Sequence, residues 1–355
     1  MFRLNNLRYI AAGVVLLSAL TGHGAESADS ADIKPEPKWT DYLPSVRGTV
    51  RARMETEFGH DLPTAARFQV RNARLSLSGS VGQAVDYFFN ADFCDCGKIK
   101  ILDVWARVNA PEHIGIRMGQ FRMPFGVDPF MAPNNYIFSN RSFIGKQMCN
   151  VRAVGASVAY RPTTFPFFVE GGVFNPTPIG DHMVWNTSFA YAVKASYCLD
   201  KTTIATGFQS IRPDGIRINL VDAAVTWQPS ARVIVSGEYM YKHYTSDAYR
   251  LTHGWLVWGT YRMPVKAWVF NRLSFQGRFD GMTAHSTGVR GSDGLLWTNH
   301  AARNRITVGS TLSYIRSKNM FLDIRADFEK YFYHAGTAVP QGDGDKFLLE
   351  MIVRF

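Results

Sequence analysis

Arginine recurs on one side of the first patterned segment, "SVRGTVRARMETEF", where Arg47, Arg51 and Arg53 are spaced by even numbers of residues. By the same alternation Arg74, Arg107, Arg117, Arg272, Arg278, Arg305, Arg325 and Arg354 take the polar side of later segments. A guanidinium keeps its charge and forks onto two oxygens at once. A row of them facing enclosed water suits phosphates and carboxylates. Carboxylates share that side: Glu55, Asp86, Asp92, Asp103, Glu238, Asp323, Asp327, Glu329 and Glu350. Some of these pair with arginine. Two readings therefore stand, an anion-preferring lumen and a mixed-charge wall that passes solutes without preference.

Other chemistries find less support. A barrel hydrolase needs a nucleophile, a histidine and an acidic or amide partner together at a rim. His113, His243 and His334 fall near strand ends, but no serine stands at a suggestive spacing, and "GSVGQ" reads as a turn. The expectation is that the protein is not an enzyme. A surface receptor or adhesin is a further alternative, motivated by Trp185 and Trp297 in long connections. Of the four cysteines, Cys94 and Cys96 are one residue apart, tighter than usual zinc-ligand spacing, while Cys149 and Cys198 stand alone. No metal and no cofactor is expected. The formal net charge is +10, and removing Arg3 and Arg8 with a leader leaves basic residues in excess. That balance suggests anionic partners. The arginines are spread along an exported chain, so small anions or lipid headgroups fit better than nucleic acid, which is not expected.

What must position these side chains is period two. In "KFLLEMIVRF", Phe347, Leu349, Met351, Val353 and Phe355 oppose Lys346, Glu350 and Arg354. In "NMFLDIRADFEKYF", Leu322, Ile324, Ala326 and Phe328 oppose Asp323, Arg325, Asp327 and Glu329. This alternation is the strand signal. About sixteen such segments run from residue 45 to 355. Many are near ten residues, the length a tilted membrane strand requires, whereas strands of soluble sandwiches run nearer 5–6. Every second connection is tight ("GSVG", "APEH", "LDK", "RSKN"). Most of the others are long ("NPTPIGDHMVW", "MTAHSTGVRGSDGLLWTNH"). The expected fold is all-β: an antiparallel transmembrane β-barrel of about sixteen strands, with long outer loops and short periplasmic turns.

The ends agree with export. Residues 1–25 have a basic start, an apolar run from Tyr9 to Leu20 and small residues after it, which predicts a signal peptide. Residues 26–44 are read as a periplasmic segment and 45–355 as the barrel, in the bacterial outer membrane with the lipid bilayer as partner. Phe355 closes an alternating strand. Many outer-membrane barrels end this way, and the resemblance implies handling by the barrel-insertion machinery.

One stretch breaks the alternation. Residues 123–150 follow the fifth segment and are rich in Pro and Phe, which argues against a floppy polar loop. Connections this long are usually functional. Folded into the barrel mouth, this third outer loop would find walls to pack on and would narrow the channel. Pro124, Phe125, Phe130, Phe138, Arg141 and Phe143 are its candidate constriction residues. With Arg141 added, the candidates for contact with anions are Arg47, Arg51, Arg53, Arg74, Arg107, Arg117, Arg305 and Arg325.

The segment "MGQFRMPFGVDPF…IFSNRSFIGKQM…VRAVGASV" resembles the phosphate-selective porin O and P family. Gly119, Phe121, Arg122, Pro124, Phe125 and Gly126 match its first element. Phe138, Arg141 and Ser142 match the second, and Arg152 and Gly155 the entry to the next strand. The resemblance implies a sixteen-stranded anion channel, trimeric, with a third loop that narrows the pore and phosphate or other small anions as solutes.

Overall fold

A computed structural model describes residues 43–355, apart from 59–62, 83, 96, 132–134, 150, 177–183 and 318. The expected signal peptide, nearly all of the segment expected over 26–44, and Cys96 lie outside the described residues.

The alternating segments form sixteen strands. The first eight are β1 (Ser45–Phe58), β2 (Ala65–Val81), β3 (Val85–Asp95), β4 (Lys98–Ala110), β5 (Ile114–Arg122), β6 (Arg152–Tyr160), β7 (Phe167–Phe174) and β8 (Ala190–Leu199). Then follow β9 (Thr202–Ile211), β10 (Ile218–Ser230), β11 (Val233–Tyr244), β12 (Thr252–Ala267), β13 (Phe270–Met282), β14 (Arg303–Ser317), β15 (Met320–Tyr333) and β16 (Asp345–Arg354). Each pairs antiparallel with its sequence neighbours, and β1 pairs with β16, from Thr49 opposite Arg354 to Phe58 opposite Asp345. Past the last strand residue, Gly48 and Phe355 exchange two backbone hydrogen bonds. Closure leaves no strand edge, so every ladder group can be satisfied within lipid. Among the described residues no helix is long and apolar enough to cross a membrane; the strands do so.

Burial runs opposite to that of a soluble protein. Val50, Phe68, Val158, Phe275, Val308 and Met351 are exposed on the outside. Asp92, Asp280, Thr307, Glu329 and Glu350 are buried within. Only a hydrocarbon surround makes this arrangement favourable. Tyr160, Tyr197, Trp227, Tyr261 and Tyr314 are exposed toward strand ends, as an interfacial aromatic girdle requires, while Tyr239 is exposed at the middle of β11.

The short turns use left-handed backbone. Glu112 and His113 have φ of 61° and 65° between β4 and β5, the conformation whose twist matches a tight hairpin.

Candidate pore lining and inserted loop

The stretch after β5 folds into the barrel and is tied to strands on the far side. Its backbone N–H groups are taken by wall carboxylates. Val127 and Asp128 each donate to Glu238 of β11 at 2.8 Å. Phe143 donates to Asp280 of β13 at 3.0 Å, and Ser139 to Asp327 of β15 at 2.7 Å. Its carbonyls are taken by wall cations: Arg325 donates to Tyr136 at 2.9 Å, Arg278 to Asn140 at 2.8 Å and Arg305 to Arg141 at 2.8 Å. Lys194 of β8 donates to the Gly126 carbonyl. An irregular segment at this depth is tolerable because its polar groups find such partners.

Side chains lock the same path. Phe125 is buried in the main apolar cluster with Phe121, Met123, Phe143, Ile144 and Met148. A π-helical turn, Ile144–Met148, lies against β12 at Gly254. A Cβ there would collide with Met148 Sδ and Ile144 Cγ2, so glycine leaves the notch they occupy. The guanidinium of Arg278 lies 4.6 Å from the Phe138 ring, and those of Arg303 and Arg305 lie 4.7 and 4.4 Å from Phe143. Phe130 faces the Lys194 ammonium at 4.7 Å. Pro124 is buried where the segment leaves β5. Arg141 donates to Gly145 and lies 5.4 Å over the Tyr136 ring.

Between this segment and the β1–β5 wall lie two cavities. The larger, about 470 Å³, is lined by twelve cations: Arg51, Arg53, Arg67, Arg71, Arg74, Arg122, Arg141, Arg152, Arg305, Lys100, Lys146 and Lys346. Glu55 and Asp343 are its acidic lining residues. The second, about 280 Å³, is lined by Arg47, Arg117 and Arg354 as well, with Asp103 as its acidic member. Arg51, Asn72, Arg74, Arg122 and Arg152 line both cavities.

Many arginines predicted to face the lumen are paired, and the partner often stands behind. Arg74 bonds Asp92 at 2.8 Å, and Asp92 is fully buried while the guanidinium lines both cavities. Arg51 meets Glu350 and Arg53 meets Glu55, both at 2.7 Å. Arg117 pairs with Glu170. Arg107 meets Asp86 at 2.6 Å toward the opposite end of the barrel from the inserted segment. Arg305 is held by Asp280 and Glu329, and Arg325 by Glu350. Arg325 lines a separate space with Arg262, Arg272 and Asp323.

Alternation alone missed several lining residues. Arg71 is an extra residue: opposite β1 the register passes from Asn72 to Val70, a β-bulge that lets Arg71 and Asn72 both line the larger cavity. Arg122 and Arg152 face each other across β5 and β6, where the alternating pattern gives way to the inserted segment. Among the described residues no carboxylate is in ion-pair contact with Arg71 or Arg122. The charge runs of β2 held the signal for Arg67 and Arg71; nothing in the pattern marked the bulge.

Fold and lumen define an outer-membrane porin. Residues 51–197 match the family model described as phosphate-selective porin O and P, the family the sequence resembles, and the protein is placed in the bacterial outer membrane. No curated protein sequence matches. Solved structures agree in fold at low identity. OmpT of Vibrio cholerae with loop L8 deleted is 10% identical, with a TM-score of 0.60 over 89% of this chain and all of that one. An anion-selective porin from Comamonas acidovorans is 12% identical, TM-score 0.60, covering 88% of this chain and 99% of its own. Salmonella typhi OmpF is 14% identical, TM-score 0.60, covering 90% and 99%.

Proposed function

We propose that this porin is a water-filled, anion-preferring channel for phosphate or other small anions, narrowed by its inward-folded third outer loop. The observation that carries the reading is the lining of the larger cavity, twelve cations against two carboxylates. In a passage with low-dielectric walls such an excess raises the local anion concentration and repels cations. The loop fills the side of the lumen where Glu238, Asp280, Asp327 and Glu329 stand, and those carboxylates are occupied by its groups. Arg47, Arg51, Arg53, Arg74, Arg117, Arg141 and Arg305 line the open side in this reading, joined by Arg71, Arg122 and Arg152. Pro124, Phe125, Phe130, Phe138 and Phe143 give the loop its fixed shape. Arg107 and Arg325 serve the vestibule beyond. The anion selectivity of the Comamonas acidovorans porin and the family match favour anions, and a channel over an enzyme. The trimer form recorded for OmpT of Vibrio cholerae supports a homotrimer.

The general mixed-charge porin is the second reading, favoured by ion pairs such as Arg53–Glu55 and Arg152–Asp103. Reversal potentials of the purified protein across a KCl gradient separate the two. A potential set by chloride supports the proposal. One near zero supports the mixed-charge wall, and one set by potassium defeats the anion reading.

A further inference from the structure

The smaller cavity is not lined as inorganic ions alone would require. Along the β3–β5 wall it presents aromatic rings beside Arg117 and Arg122, while its other basic residues stand on β1, β2, β6 and β16. Phe88, Trp105 and Phe121 stand at lumen-facing positions and line it together with Phe130 of the loop. Phe88 and Trp105 are half-buried, with ring centroids 5.5 Å apart and planes tilted by 31°. Phe121 is buried at 1% exposure and braced edge-on by Phe174 at 5.4 Å. The Arg117 guanidinium lies 3.8 Å from the Phe121 ring and 5.5 Å from that of Trp105.

A water-filled lumen has no reason to expose Phe88 and Trp105 for the sake of bare phosphate. Aromatic surface left facing water is costly, and it recovers that cost against another flat apolar group. Here the flat surface lies in the same cavity as Arg122, which has no carboxylate in ion-pair contact among the described residues. Arg51, Arg74 and Arg152 line it too, and keep N–H donors beyond their pairs with Glu350, Asp92 and Asp103 for a charged head. Sharing one cavity of about 280 Å³, the two surfaces together can take a small molecule with an anionic group at one end and a planar ring at the other.

We infer that the passage recognises aromatic carboxylates, with the carboxylate held at the Arg51–Arg74–Arg122–Arg152 group and the ring against Phe88 and Trp105. The inference rests on the anion reading and narrows it to a solute class. Stacking on the rings is partly offset by loss of water, so the gain is modest: three- to tenfold, roughly, in the concentration that half-blocks chloride current.

The test uses the full-length protein in planar bilayers, with benzoate and acetate as probes. Acetate is the smaller ion and passes a plain sieve more readily, so size alone can also favour block by benzoate. Dependence of that block on Phe88 and Trp105 is what separates ring recognition from sieving. The expected result is benzoate block of chloride current at concentrations where acetate has none, weakened three- to tenfold in Phe88→Leu/Trp105→Leu, roughly as ring stacking predicts. Should the double variant fail to insert, the single Phe88→Leu change reads the same quantity. A chloride-selective channel without this discrimination overturns the inference and leaves the anion reading standing. Benzoate block unchanged by the variants also overturns it, because the ring would then bind elsewhere. A cation-selective channel overturns both.

Discussion

Arg51 of β1 and Glu350 of β16 meet at 2.7 Å across the seam that closes the barrel, and the same guanidinium nitrogen donates to the Ser139 carbonyl of the inserted loop at 3.2 Å. One side chain therefore joins the first strand, the last strand and the loop. Arg325 binds the other oxygen of Glu350 at 3.2 Å and reaches the loop at Tyr136. Barrel closure and loop placement share a hydrogen-bonded network.

Deleting Phe130 to Ile144 removes the part of the loop that crosses toward β13–β15. Single-channel conductance is expected to rise. A gentler probe is Gly254→Leu, which puts a side chain where Met148 and Ile144 sit. Overpacking costs about 1–3 kcal/mol, enough to unseat the turn while sixteen strands hold the barrel. Noisier, higher conductance is expected. Unchanged conductance in both, with the barrel correctly folded, counts against a narrowing loop.

Selectivity separates unpaired from paired arginine. Arg71→Ala with Arg122→Ala removes two lining cations that hold no carboxylate partner among the described residues. The chloride-to-potassium permeability ratio should fall severalfold at 0.1 M salt and less at 1 M, where the Debye length shrinks from ~10 Å to ~3 Å. Arg107→Ala, at the Asp86 pair away from the loop, should leave the ratio nearly unchanged. Equal effects from both would mean that the lumen reads total charge and not lining charge.

The cysteines test topology. Cys198 is exposed at the end of β8 beside the short Asp200–Lys201 turn, whereas Cys94 ends β3 at the opposite end of the barrel. A disulfide joins Cα atoms only ~4.4–6.8 Å apart, so these two cannot pair within one chain. Cys149 lies in the loop, and burial pushes its thiol up to about 12. A polar maleimide at neutral pH should label Cys198 within minutes and Cys149 far more slowly. An intrachain Cys198–Cys149 bridge found by mass spectrometry would break the strand order.

Acid should loosen the connection between β13 and β14. His285 is fully buried there, paired by backbone with His300. The Lys242 ammonium and the Tyr244 hydroxyl both donate to the neighbouring Ser286 carbonyl. Burial first, then Lys242, His300 and Arg303, hold His285 far below its ordinary 6.5, at about 3. The open loop takes up a proton near the ordinary value and the closed loop does not, so closure is fully stable above it and weakens as pH falls toward 3. Between pH 7.5 and 5 the loss is at most ~2 kcal/mol. Hydrogen exchange over residues 283–302, corrected for intrinsic rates, should show it. Protection that is flat with pH would mean that His285 stays neutral in the open loop too.

The barrel was legible because its rule is local. Each strand repeats an alternation that lipid outside and water inside enforce residue by residue, so "KFLLEMIVRF" announces both faces without knowledge of its neighbours. The loop announced itself by breaking that rule. Its docking was not legible, because Glu238, Asp280 and Asp327 lie on three strands and become one binding surface only after closure. Arg71 was hidden for a different reason: a single-residue bulge shifts the face without altering composition. The aromatic strip was hidden because Phe88 and Trp105 read, in sequence, like any strand hydrophobe.

The wall grips the inserted loop largely through main-chain N–H and C=O groups. Such a socket accepts a given backbone path and is nearly indifferent to the side chains that point away from it. The exposed, passage-facing residues of the insert, Lys146 among them, can change while the seat at Glu238, Asp280 and Asp327 still fits. On the proposed reading of the loop as the narrowing element, the barrel is a housing for an exchangeable filter, and new permeation preferences are open to it through substitutions in one short segment, with the sixteen staves untouched.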